Sequence, residues 1–145
     1  MGYTNYWAPK TFKENEVPEQ FWKDVTKALD GVLSAGVRIG DWYGQNERKS
    51  GAEIVNTTLM SDKEHPSIVF NGLEELQEDY ESFIFCLDGT WNFCKTARMP
   101  YDLAVKCVLI LAKKYDLLVQ WSFDGDCDEK EYTDAEELLV KLNLL

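Results

Sequence analysis

Between residues 81 and 115 the chain reads ESFIFCLDGTWNFCKTARMPYDLAVKCVLILAKKY: two short β-forming runs, a basic turn and the most apolar segment of the sequence. Asp88 and Gly89 tolerate the positive φ that both central positions of a type I′ turn require, so the flanking runs are expected to pair as an antiparallel hairpin. A two-residue turn would set Cys86 opposite Trp91, Ile84 opposite Phe93 and Phe83 opposite Cys94. Ile84, Cys86, Trp91 and Phe93 then share one side of the ribbon. Phe83, Phe85 and Leu87 occupy the other side, so both sides are expected to be covered, with Phe93 in the core. Pro100 suits the first position of a helix and Asp102 its first turn, which predicts a helix over residues 100–115. Asp102, Lys106 and Lys113 form one narrow polar stripe on it, and the rest is apolar, as in a helix buried on nearly all sides.

The 145 residues suffice for one domain, expected to span 1–145, with about two-thirds of the unfolded surface buried. A net charge of −11 argues against general nucleic-acid binding and favours basic partners. Cys86, Cys94, Cys107 and Cys127 lack metal or redox spacing and are expected to be free thiols in a reducing compartment. The start carries no basic segment followed by an apolar run, and no apolar stretch is long enough to span a bilayer, so a cytoplasmic location without membrane attachment is expected.

Elsewhere, residues 1–7 are rich in β-formers and stop at Pro9, suggesting a first strand. Phe21, Trp22, Val25, Ala28, Leu29, Val32 and Leu33 recur at helical spacing after Pro18. Residues 36–51 read as a long loop, functional or a surface excursion on which Trp42 and Tyr43 pack back. Residues 52–59 and 66–71 read as strands around a polar turn at 61–65. Residues 73–80 read as a helical turn or loop, and 117–123 as a further strand. Thr133 and Glu136 have capping-box spacing before a terminal helix with Leu138, Leu139, Leu142 and Leu145 on its apolar face. This order predicts an α+β domain with a largely antiparallel sheet of about five to six strands, a buried central helix and two further helices.

Chemistry is less clearly marked. Lys95, Thr96 and Arg98 place two cations and a hydroxyl before a helix N-terminus, a corner suited to a phosphate or carboxylate. Pairing of the two cations with Asp124 or Asp126 is the alternative. Asn71 and Asp124 close separate strands and would join this corner if those strands flank the hairpin. Asp124, Asp126 and Asp128 imitate the start of a calcium loop, but Glu129 stands where that loop needs glycine and Ala135 where it needs glutamate, so an acidic solvated turn is expected and no metal or cofactor. His65 is the only histidine. Without a nucleophile elbow, a zinc-protease motif or a Walker loop, enzymatic activity is the third reading and no catalytic residue is assigned.

The start Met1-Gly2-Tyr3-Thr4-Asn5-Tyr6-Trp7, the turn Phe70-Asn71-Gly72, the run from Phe93 through Cys94-Lys95-Thr96-Ala97-Arg98 to Pro100-Tyr101-Asp102, and the strand end Ser122-Phe123-Asp124-Gly125-Asp126 together resemble an uncharacterised family of small proteins of bacteriophages and related mobile elements. In that pattern the position of Met99 is often basic and that of Phe123 often serine, so this turn is less cationic. The resemblance implies an accessory role inside a bacterial host and no particular mechanism.

Two functions follow as expectations. A binding module would hold a small anionic ligand or a host protein near Lys95, Thr96 and Arg98, acting as a monomer or weak dimer. An acidic mimic of nucleic acid would instead inhibit a basic host protein.

Overall fold

A computed structural model describes residues 3–56 and 65–145. Among the described residues, six strands, four α-helices and two 3₁₀ turns make an α+β domain, but the strands divide into two three-stranded antiparallel sheets. Strand β1 (Thr4–Pro9) lies at the centre of the first, between β5 (Asn92–Lys95) and β6 (Leu118–Phe123). The second has β3 (Ser67–Gly72) between the two-residue β2 (Ile39–Gly40) and β4 (Phe83–Cys86). Helices α1 (Glu19–Ser34), α3 (Asp102–Lys114) and α4 (Lys130–Lys141) pack together, α3 between the other two.

The expected hairpin does not form. Strand β4 pairs with β3, with Ile84 opposite Val69, while β5 pairs with β1, with Phe93 opposite Tyr6. Gly89 takes a positive φ of 82°, but the Asp88 carboxylate accepts the Thr90 N–H at 2.9 Å, and Asp88 is bridged to Thr11. The connection therefore carries the chain from one sheet to the other. At the seam the Asn92 amide takes the place of a ladder bond: its Oδ1 accepts the Phe93 N–H (2.8 Å) and its Nδ2 donates to Ile84 O (3.2 Å). Pairing with β1 also reverses the expected face. Asn5 and Cys94 point inward, whereas Trp91 and Phe93 are 53% and 46% exposed, so Phe93 is not a core residue.

The two central positive-φ residues of a type I′ turn occur at Ala97 (52°) and Arg98 (60°), where Met99 N–H donates to Thr96 O at 3.0 Å. This turn joins β5 to the first turn of α3. The core beneath is continuous across both sheets: the Trp7 and Phe83 rings meet at 5.1 Å, Phe70 and Phe83 at 5.0 Å, and Phe21 reaches Tyr115 from α1 at 5.7 Å.

Two local expectations fail at helix starts. Residues 52–55, the start of the expected 52–59 strand, instead belong to the short helix α2 (Gly51–Val55), because Ser50 Oγ accepts the Glu53 N–H and Asp30 accepts that of Gly51. The remainder of that expected strand and most of the 61–65 turn lie outside the described residues. Thr133 is not a cap: α4 begins after Glu129, and the Thr133 hydroxyl returns to Lys130 O within the helix. Residues 74–76 form a 3₁₀ turn, and within 36–51 only Ile39–Gly40 is strand. No helix among the described residues is long and apolar enough to cross a membrane.

Candidate functional site

Of the five expected site residues, Lys95 closes β5, and Thr96 and Arg98 follow it in the turn to α3. Thr96 is fully buried and donates its hydroxyl to Asp102 Oδ1 at 2.7 Å. Asn5 Nδ2 reaches the same oxygen at 2.8 Å, while Lys106 Nζ donates to Asp102 Oδ2 and to Asn5 Oδ1, each at 2.9 Å. Asn5 and Lys106 are wholly inaccessible and Asp102 is 3% exposed. A charged pair inside a protein is tolerable only when its remaining valences are filled, and here two neutral donors complete the carboxylate. The ammonium also rests 4.4 Å from the Tyr3 ring centre and 4.7 Å from that of Phe123. Burial holds Lys106 below the ordinary lysine range, with Asp102 pulling it back up.

Of the polar stripe of α3, Lys113 is exposed, while Asp102 and Lys106 therefore belong to an internal network. Its signal was present in the sequence, since an aspartate and a lysine four apart on an otherwise apolar helix must find each other or leave the core. Its partners Asn5 and Tyr3 come from the opposite end of the chain and no local pattern marks them.

The Arg98 guanidinium also lies over the Tyr3 ring, 4.3 Å from its centre, and pairs with Glu131 (2.6 Å) and Glu129 (3.2 Å). The pairing expected with Asp124 or Asp126 is thus made with two glutamates at the start of α4. Burial opposes charge on Glu131, but Arg98 outweighs it and the carboxyl sits below its ordinary range. Tyr3 is held protonated, first by burial and then by Asp102 and Glu131, and its hydroxyl has no hydrogen-bond partner among the described residues. A groove of about 240 Å³ opens beside Arg98, lined also by Met99, Leu103, Lys130, Glu131 and Asp134.

No family model matches the chain, and no match was found among curated proteins or solved structures.

Asn71 and Asp124 serve other ends. Asn71 is a clamp: its Oδ1 accepts the Gly72 and Tyr80 N–H groups, and its Nδ2 donates to Tyr80 O at 2.9 Å and reaches Trp42 O at 3.5 Å. Gly72 beside it is obligatory, because a Cβ there would lie 2.0 Å from Glu78 O. Asp124 is exposed and accepts the Thr4 N–H at 3.2 Å, closing the β1–β6 ladder. Asp126 and Asp128 are exposed, and among the described residues no cluster of three acidic, histidine or cysteine side chains is placed to hold a metal. Of the thiols, Cys94 and Cys107 are buried, and Cys127 is exposed on the turn before α4 rather than inside.

The surface left open is the outer face of the β5-β1-β6 sheet. In antiparallel pairs opposed residues share a face, so Tyr6 stands with Phe93 and Ser122. Tyr6 and Trp91 stack with ring centres 6.3 Å apart, and Trp91 and Phe93 meet at 5.5 Å. Gln120 and Ser122 are exposed beside them, and the Lys95 ammonium makes no ion pair among the described residues. The helices lie against the opposite face, behind Asn5 and Trp7. Aromatic residues at 91 and 93 were visible in the sequence; their exposure follows only from the pairing with β1.

Proposed function

We propose that this chain is a binding module of the phage-accessory kind, and that it docks a host protein on the outer face of the β5-β1-β6 sheet. The observation that carries this reading is the contiguous row Tyr6, Trp91 and Phe93, rings in mutual contact on one sheet face, with Trp91 and Phe93 half exposed and Tyr6 partly buried beside them. Aromatic anchors at the centre of a contact with a polar rim are the usual source of protein-binding energy. The charge of −11 favours a partner with a basic surface and speeds its approach.

The test is capture of a partner from bacterial lysate, followed by reconstitution with that partner purified. Trp91→Ser and Phe93→Ser should each weaken the reconstituted complex by roughly tenfold or more while leaving the melting temperature unchanged. A purified partner held equally well by both variants would remove the face from consideration.

A second reading puts a small anionic ligand in the groove beside Arg98, supported by the nearness of Arg98 and Lys130 in its wall. Such a ligand must displace Glu131 from Arg98, so Glu131→Gln should increase thermal stabilisation by nucleotides and Arg98→Ala should abolish it. Unchanged stabilisation in both variants would exclude the groove.

A further inference from the structure

The first sheet has an edge whose backbone is unspent. Asp124 N–H donates to Thr4 O, so the bonding pairs of the β1–β6 ladder run through Asp124, Ser122 and Gln120. Alternation then directs the N–H and C=O of Trp121 and the N–H of Phe123 away from β1. Phe123 O accepts the Gly125 N–H, but no described backbone group bonds these other three. Proteins guard such edges with lysine, proline or a covering segment, because a free ladder recruits further strands. Strand β6, LVQWSF, carries no charge and no proline, and Val119 at its bulge is 71% exposed.

The ends of this edge are acidic. Asp116 precedes the strand, while Asp124, Asp126 and Asp128 follow it, all exposed. Glu136, which acts electrostatically on Tyr132, stands where that ring stacks on Trp121 and Phe123. The nearby cation Lys10 is already paired with Asp116 at 2.8 Å. A second copy adding antiparallel at this edge would set Asp116 of one protomer toward the aspartates of the other, a repulsive arrangement.

We infer that the β6 edge of this chain takes up an extended peptide segment of a partner protein as an added strand, and that basic residues flanking that segment are read by Asp116, Asp124, Asp126 and Asp128. The ladder supplies affinity without sequence preference, and the flanking carboxylates supply selection by charge. This rests on the reading of the chain as a protein-binding module, but uses the edge of the sheet rather than its aromatic face.

The experiment titrates ¹⁵N-labelled protein with a capped peptide of alternating threonine and valine bearing lysines at both ends. A glutamate-ended peptide and a lysine-ended one with alternate amides N-methylated serve as comparisons. The lysine-ended peptide is expected to bind saturably, shifting the Trp121 and Phe123 amide signals and slowing their exchange. It should bind roughly tenfold more tightly than either comparison. Asp126→Lys combined with Asp128→Lys, which breaks no side-chain hydrogen bond of the described residues, should reverse the preference between lysine and glutamate ends. Equal binding of all three peptides, absence of saturable binding, or shifts centred on Trp91 and Phe93 would overturn the inference. So would concentration-dependent dimerisation that shifts the same Trp121 and Phe123 signals without peptide. Running both assays on Phe93→Ser separates the two proposals: retained peptide binding with an undiminished host complex leaves the edge standing alone, a weakened host complex with no peptide binding leaves the face, and retained peptide binding with a weakened host complex supports both.

Discussion

Replacing Lys106 by methionine removes one charge from a buried network while nearly preserving its shape, and the consequences can be worked from the contacts. Asp102 keeps the Asn5 amide and the Thr96 hydroxyl as donors but loses its counter-ion, and Asn5 Oδ1 loses its donor. Breaking a buried pair from one side costs about 3–5 kcal/mol. For a protein of this size that lowers the melting temperature by roughly 8–16 °C and the urea midpoint by about 2 M. Asp102→Leu should cost more, because it strands the ammonium and also leaves Asn5 and Thr96 without an acceptor, each worth about 1–3 kcal/mol. The double variant should be less damaged than the sum of the singles by at least about 1.5 kcal/mol, since the second substitution removes a charge that the first had isolated. Full rescue is not expected, as the two neutral donors remain unsatisfied. Urea titrations of the four proteins close the cycle. A loss below about 1 kcal/mol for Lys106→Met, or strict additivity, would refute the view that the pair is ionised and mutually dependent.

Stability should fall in alkali. Burial pushes the Cys107 thiol from 9.0 up to about 12, and that of Cys94 similarly, so below pH 9 their contribution is complete and it is lost as pH rises toward 12. Each thiol contributes a slope of up to about 1.4 kcal/mol per pH unit, partly opposed by Lys106, whose lowered value has the opposite sign; Cys107→Ala should flatten the slope in denaturation curves taken between pH 9 and 11. Ala97→Gly should stabilise by about 0.5–1 kcal/mol in thermal melts, because φ of 52° strains a Cβ, and a loss would mean the alanine methyl has a packing role. Asn71→Ala should destabilise by about 1–3 kcal/mol and accelerate exchange of the Tyr80 and Gly72 amides, and unchanged exchange would show the clamp is redundant.

What the sequence disclosed depended on the range of the interaction. Helices α1 and α3 were legible because a 3.6-residue period is a local fact, and α+β followed from the order of the elements, although α3 begins at Asp102 and not at the expected Pro100. The Asp88-Gly89 turn misled because turn chemistry permits a hairpin without choosing it. Thr4–Pro9 and Ser67–Gly72 offer β5 and β4 better partners, and that competition is settled by burial of Cys94, Trp7 and Phe83 together. Ser50 and Glu53 carried a capping signal for α2 that the β-forming residues beside it concealed. At the corner, Lys95, Thr96 and Arg98 were found by charge contrast. That Arg98 is spent on Glu129 and Glu131 depends on a segment some thirty residues away, whereas Thr96 turns inward to Asp102, six residues on.

Strand β1 lies in the middle of its sheet, yet one of its neighbours, β6, is bonded to it across more than a hundred residues. During synthesis the β2-β3-β4 sheet can assemble once residue 86 has left the ribosome, but the first strand must wait, unpaired on one side, until residue 123 follows. Tyr3, Asn5 and Trp7, all destined for the interior, are thus made before the other elements of this fold and are among the last to be enclosed. A nascent chain stalled before β6 should be cut by protease within residues 3–10 while its second sheet resists, and release of the remaining segment should confer protection on β1 and β6 at once.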